Sequence, residues 1–278
     1  MLVRAPAHDE IFAGNRSVGR IALSVAADGR GSRRKRVHEE GALRVRFPNT
    51  AAGGALDAVI INTAGGMTGG DHFAVDIAVE PDARLVVTTA AAEKIYRSLG
   101  PDTRIAVKLD VGPSAQLAWL PQETILFDQV RLRRSIDVEL GPGANLLLAE
   151  GIVFGRSAMG ETVRGGLLFD RWRVRRGGAL LFAESLRLDG AIAQSLARRA
   201  VAGGNIASAS VLKVPGDDKA VAAVRAMEKD FAGEVGISAW NGIVVARLVA
   251  SDGAALHRDL IAVLTALSEQ PLPRLWLN

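Results

Sequence analysis

Glutamates at related places after a recurring turn are the first feature of this sequence that could do chemistry. Glu123, Glu150 and Glu184 follow Ala115, Ala144 and Ala179 by eight, six and five residues. Those alanines, with Ala83, close four similar turns: Glu80-Pro81-Asp82-Ala83, Gly112-Pro113-Ser114-Ala115, Gly141-Pro142-Gly143-Ala144 and Gly177-Gly178-Ala179. Apolar residues follow each turn, and the alanines lie 32, 29 and 35 residues apart. A strand-forming unit repeated at that period cannot bury its own face and must stack on its neighbours. Stacking would bring the acids into a column near the strand ends, a carboxylate lining that a divalent cation can traverse. Strand ends are also commonly solvated and acidic, so spacing alone leaves a surface role open.

Other chemistries lack their residues. The chain has no cysteine, which excludes disulfides, thiolate metal sites and a cysteine nucleophile. Its four histidines, His8, His38, His72 and His257, show no paired ligand spacing, so a tight metal cage is not expected. Gly65-Gly66-Met67-Thr68-Gly69-Gly70-Asp71 has neither the ending of a phosphate loop nor the spacing of a dinucleotide fingerprint. It falls between two strand-like segments, where glycines serve a tight backbone bend. Gly155-Arg156-Ser157-Ala158-Met159-Gly160 misses the nucleophile elbow because Met159 stands where glycine is needed.

The elements that must position these residues read mostly as strands. Arg20–Ala26, Leu43–Phe47 and Ala58–Asn62 are short, apolar and bounded by turn residues. Val130, Leu132, Arg134, Ile136, Val138 and Leu140 share one face of a strand, with Arg131, Arg133, Ser135, Asp137 and Glu139 opposite. Two helices are expected near the C-terminus. Asp217 or Asp218 caps a segment carrying Val221, Val224, Met227 and Phe231, and Ser251 or Asp252 caps one carrying Leu256, Leu260, Val263, Leu264 and Leu267. The expected fold is mainly β: stacked β-sheet layers, β-helix-like, with two α-helices near the C-terminus.

The formal net charge of +4 equals the four cations of Arg33, Arg34, Lys35 and Arg36. The run is short, lacks aromatics and meets His38, Glu39 and Glu40, so a solvated loop or strand edge is expected rather than a nucleic-acid surface, the functional alternative being a docking spot for an acidic partner. No apolar stretch is long enough for a membrane helix and no secretion signal is seen, so a cytoplasmic protein is expected. Phe12, Gly151-Ile152-Val153-Phe154 and Leu272 to Leu277 are either partner-binding surface or core.

Blocks in order along nearly the whole chain resemble the UreD family of urease accessory proteins, also called UreH. They are Gly41-Ala42-Leu43-Arg44-Val45-Arg46, the Gly65 to Asp71 loop, Thr88-Thr89 through Lys94-Ile95-Tyr96-Arg97-Ser98, and Gly155 to Glu161. Asp170-Arg171-Trp172 leading to Glu184, Gly236 to Trp240, and Pro273-Arg274-Leu275-Trp276 extend the likeness. Asn62-Thr63-Ala64 and Glu93 depart from it, where prolines and a hydroxyl residue are more usual.

The resemblance implies one UreD-like domain over residues 1–278, a mainly-β fold and a non-enzymatic role in urease maturation. It implies binding to the urease apoprotein and to the accessory proteins UreF and UreG, with nickel passing through the protein rather than held as a cofactor. Asp71, Thr89, Glu150, Glu161 and Glu184 are the candidate lining, because exchanging oxygen ligands bind the ion weakly enough to release it. Lys94 and Arg156 could hold those acids by charge pairing. The rival reading is a β-solenoid enzyme using Asp71, Glu150 or Glu184 as general acid and base on a sugar-like substrate.

Overall fold

The computed structural model describes residues 15–48, 54–98, 100–156 and 159–277. Phe12, His8, Ser157 and Ala158 lie outside them. The chain opens with β1 (Val18–Ala27), β2 (Ser32–Gly41), β3 (Leu43–Arg46) and β4 (Leu56–Asn62). It continues with β5 (His72–Val79), β6 (Arg84–Thr89), β7 (Glu93–Ile95), β8 (Thr103–Val111), β9 (Gln116–Trp119) and β10 (Thr124–Leu126). Then come β11 (Val130–Leu140), β12 (Asn145–Phe154), β13 (Gly166–Arg176) and β14 (Ala179–Gly190). The C-terminal part holds helix α1 (Ile192–Leu196), β15 (Ala207–Val214), α2 (Asp218–Arg225), β16 (Glu234–Trp240), β17 (Ile243–Ala250) and α3 (Gly253–Leu267).

These strands form a seven-stranded sheet, β14-β13-β11-β8-β5-β1-β2, and a ten-stranded one whose main path is β16-β17-β15-β12-β9-β6-β4-β3. From β4 to β13 the chain alternates between the sheets. Successive strands of each sheet pair in parallel, β5–β8–β11–β13 on one and β4–β6–β9–β12 on the other. That is the winding of a β-helix, and the stacked-layer expectation holds.

The coil is set by its turns. In three of them Pro81, Pro113 and Pro142 stand second, and Asp82, Ser114 and Gly143 stand third with φ of 63°, 55° and 67°. Proline followed by a left-handed residue is a type II turn. Its closing bond runs from the Ala83, Ala115 and Ala144 amides to Glu80, Gly112 and Gly141 at 3.1, 3.1 and 3.2 Å. The turns stack: the Asp82 amide donates to the Pro113 carbonyl at 3.1 Å and the Ser114 amide to Pro142 at 2.9 Å. The three alanines are buried between them. The fourth copy departs from the pattern. Gly177 and Gly178 both have positive φ, the signature of a two-residue hairpin turn. They join β13 to an antiparallel β14 and leave Ala179 exposed.

One hydrophobic core fills the space between the sheets, with Ile21, Val75, Val107, Ile136 and Trp172 in a single register row. A second lies where α3 covers the outer face of the ten-stranded sheet, and buries Leu256, Leu260, Val263, Leu264 and Leu267 as the helical stripe requires. Asp217 and Asp252 cap α2 and α3 by accepting from Ala220 and Ala255 amides. The first of these helices is shorter than its apolar spacing suggests, since Met227 and Phe231 fall beyond it. Ile192–Leu196 is a helix the spacing did not announce. Ile152, Val153 and Phe154 are core, as are Leu272 and Trp276, while Leu277 is exposed.

The Arg33–Arg36 run lies in β2, a strand edge as expected, with nearly every residue exposed. None of the described helices is long and apolar enough to cross a membrane.

Candidate functional site

An arginine lies in the apolar interior, held between carboxylates from both sheets. Arg134 sits in the inward phase of β11, and its register partner on β13 is Asp170. Its Nε donates to Asp170 Oδ1 at 3.1 Å and its Nη2 to Oδ2 at 2.5 Å. From the opposite sheet, Glu150 in β12 pairs through Oε2 with Arg134 Nη1, which also meets Thr124 Oγ1 at 3.2 Å. The Trp119 indole donates to Glu150 Oε1 at 2.9 Å. Arg134, Glu150 and Asp170 are all at most 5% exposed.

Burial dominates the electrostatics. It raises the Glu150 carboxyl to about 7 against the pull of Arg134. Burial also opposes the charge on Arg134, but Asp170 and Glu150 outweigh it and raise the guanidinium's pKa. Two carboxylates against one guanidinium leave this low-dielectric cluster one negative charge in excess when both acids are ionised.

Two cavities lie on either side, and Glu150 lines both. The larger, about 180 Å³, runs between β13 and β14 on one side and β15 and β17 on the other, and takes in Asp170, Glu184, Ser210 and Arg247. The smaller, about 80 Å³, is lined by Thr89, Glu93, Gln122, Thr124 and Arg134, with Phe73 and Ile105 behind. Its position has a cause in the sequence. Pro121 cannot donate a ladder bond, and the ten-stranded sheet breaks at Leu120–Glu123 between β9 and β10. It breaks again at Ala90–Ala92 between β6 and β7. The interrupted sheet leaves room beside the Glu150 row.

The candidate residues divide between these cavities and other places. Glu184 reaches the larger cavity, where Oε1 accepts from Ser210 Oγ at 3.0 Å and Oε2 from Arg247 Nη2 at 2.8 Å. Thr89 lines the smaller one, donating to the Ala91 carbonyl and accepting from the Gln122 amide at 3.0 and 2.9 Å. Asp71 lies elsewhere: its two oxygens accept the Ser17 and Thr68 amides at 2.8 and 2.7 Å, fastening the glycine loop. Gly66 in that loop has φ 141° and leaves no room for a Cβ beside Tyr96.

Glu161 belongs to an outer loop, paired with Arg156 Nε at 2.7 Å, which holds its carboxyl below the usual range. Arg156 also stacks over Phe127 at 4.3 Å. Lys94 is exposed and forms no ion pair among the described residues. Glu123 points outward to His257 Nδ1 at 2.6 Å, so the column of strand-end acids does not form.

Sequence reasoning passed over Arg134, Asp170 and Glu93 as site residues. Arg134 carried a signal, since it is the single charge in the inward phase of an otherwise apolar strand. Asp170 carried a weaker one, standing in phase with Leu168 and Trp172. Glu93 faces the smaller cavity beside Asn62, whose Nδ2 donates to both its oxygens at 3.0 Å, and burial raises its pKa.

Residues 17–277 match the model of the UreD urease accessory protein family. The chain belongs to the UreD family. A UreD urease accessory protein of Rhodopseudomonas palustris strain HaA2 is 54% identical over 272 residues, covering 98% of this chain and 97% of the relative. One from Bradyrhizobium diazoefficiens is 52% identical over 268 residues, 96% of each chain. A third, UreD 3 of Bradyrhizobium sp. strain BTAi1, is 49% identical over 274 residues, 99% of this chain and 98% of the relative. The UreD resemblance carried by the ordered blocks is thereby shown.

Proposed function

We propose that this chain is a non-catalytic urease maturation factor, a scaffold through which Ni²⁺ passes on its way to the urease active site. The relatives' names support the maturation role. The observation that carries the conduit is the sharing of Glu150 by two cavities between the sheets. Carboxylates at Glu150, Asp170 and Glu184, with hydroxyls at Thr89, Thr124 and Ser210, supply oxygen donors that bind the ion weakly. The protein would work in the cytoplasm in a complex with the urease apoprotein, UreF and UreG, which keep any nucleotide chemistry outside this chain. Acid–base catalysis has little support, because Arg134 holds Glu150 and Asp170 while backbone amides take both oxygens of Asp71.

The test is nickel content of urease produced with its accessory proteins and either the wild type or Glu150→Gln. The variant is expected to assemble by pull-down and to lower nickel loading by about tenfold or more, since even residues that only support a metal's ligands cost about 10–100-fold when mutated. Full loading by an assembled E150Q would refute the conduit.

A further inference from the structure

Arg134 is the group a cation conduit would be least expected to hold against the carboxylate that its two cavities share. Glu150 lines both cavities, and the guanidinium pairs with that carboxylate. Its two attachments are unequal. Asp170, a register neighbour in the same sheet, is gripped through Nε and Nη2 together. Glu150, across the interior, is met by Nη1 alone and keeps the Trp119 indole as a second donor. Rotation of the guanidinium about its Asp170 contact would therefore free Glu150 without leaving the arginine's charge unpaired.

Without that arginine, two buried carboxylates would face each other with only neutral partners, which is the composition of a retaining dication site. We propose that Arg134 is a tethered cation that stops Glu150 and Asp170 from retaining the transported ion. The ion crosses between the cavities only while it displaces the guanidinium from Glu150. This rests on the conduit reading and adds the selection at its centre. At equal distance a dication is attracted to Glu150 twice as strongly as a monovalent ion, so where the surrounding oxygen donors replace its hydration, Ni²⁺ competes with the arginine better than Na⁺ or K⁺ does.

The experiment measures Ni²⁺ binding to the full chain by calorimetry for the wild type, Arg134→Gln, and R134Q combined with E150Q. R134Q is expected to bind one Ni²⁺ about tenfold or more tightly than the wild type, equivalent to about 1.4 kcal/mol or more. Adding E150Q should abolish that gain. A folded R134Q that binds no more tightly overturns the proposal.

If R134Q does not fold, Arg134→Lys keeps the buried charge but loses the fork. Ni²⁺ should then quench the Trp119 emission, defined by difference from Trp119→Phe, at lower concentration than in the wild type. Equal concentrations overturn the proposal. The conduit is judged separately by urease loading: a fully active E150Q removes both readings. An impaired E150Q beside an R134Q without tighter binding removes the role of Arg134 alone.

Discussion

Glu150 shows how one side chain takes its character from its surroundings. A glutamate at the end of an exposed strand would ionise near its ordinary value, but here burial lifts the carboxyl to about 7. Its folded pKa lies above its unfolded one, so the folded state holds the extra proton between about pH 4.5 and 7. The stability this group contributes is full below that window and is lost as pH rises through it, by about 3 kcal/mol for a shift of this size. Denaturant unfolding of the wild type should show the fall between pH 4.5 and 7.5, and E150Q should lack that component. Identical slopes would mean that Glu150 ionises as in water. The same residue scale explains why Asp71, equally buried, has a different role: its oxygens are committed to two backbone amides.

At the scale of the element, the coil depends on turns that touch through backbone. A Cβ at Gly141 would stand 2.6 Å from the Pro113 nitrogen, whereas one at Gly236 in β16 meets nothing within 4 Å. Gly141→Ala should therefore destabilise by about 1–3 kcal/mol, as overpacking does, and Gly236→Ala should change stability by no more than about 0.5 kcal/mol. Chemical denaturation of the two variants makes the comparison, and equal effects would contradict the stacked-turn account. The Pro-turn-Ala motif was legible in the sequence because proline and a left-handed third residue dictate a local geometry. Its fourth copy was not, because paired glycines also make a hairpin, and the choice belongs to the partner strand.

For the whole molecule, a solenoid leaves sheet edges that must be kept from pairing with other chains. β2 is such an edge, and Arg33, Arg34, Lys35 and Arg36 occupy its exposed faces. Positive charge there repels a second copy. Arg34→Val with Arg36→Val should shift the protein toward larger species than the wild type in size-exclusion chromatography, with a larger shift at higher salt as the remaining charges are screened. An unchanged elution volume would show that other features guard the edge. On the ten-stranded sheet, α3 covers the outer face, while the inner face packs the main core and borders the two cavities.

The sequence by itself determined the strand periods, the places of the recurring turns, the apolar stripe of the last helix, and the likeness to the family, while narrowing each C-terminal helix cap to two adjacent residues. Each of these rests on neighbours along the chain or on blocks in fixed order. It also placed Arg134 among the inward residues of β11 and singled out Glu150 and Glu184 by spacing. Only the tertiary structure decided that Glu150 faces Arg134 across the interior, that Asp170 completes the cluster, and that Glu123 turns outward to His257. Those outcomes depend on register between distant strands and on which face of each sheet is enclosed. Spacing along one strand carries no information about the side chain that stands opposite.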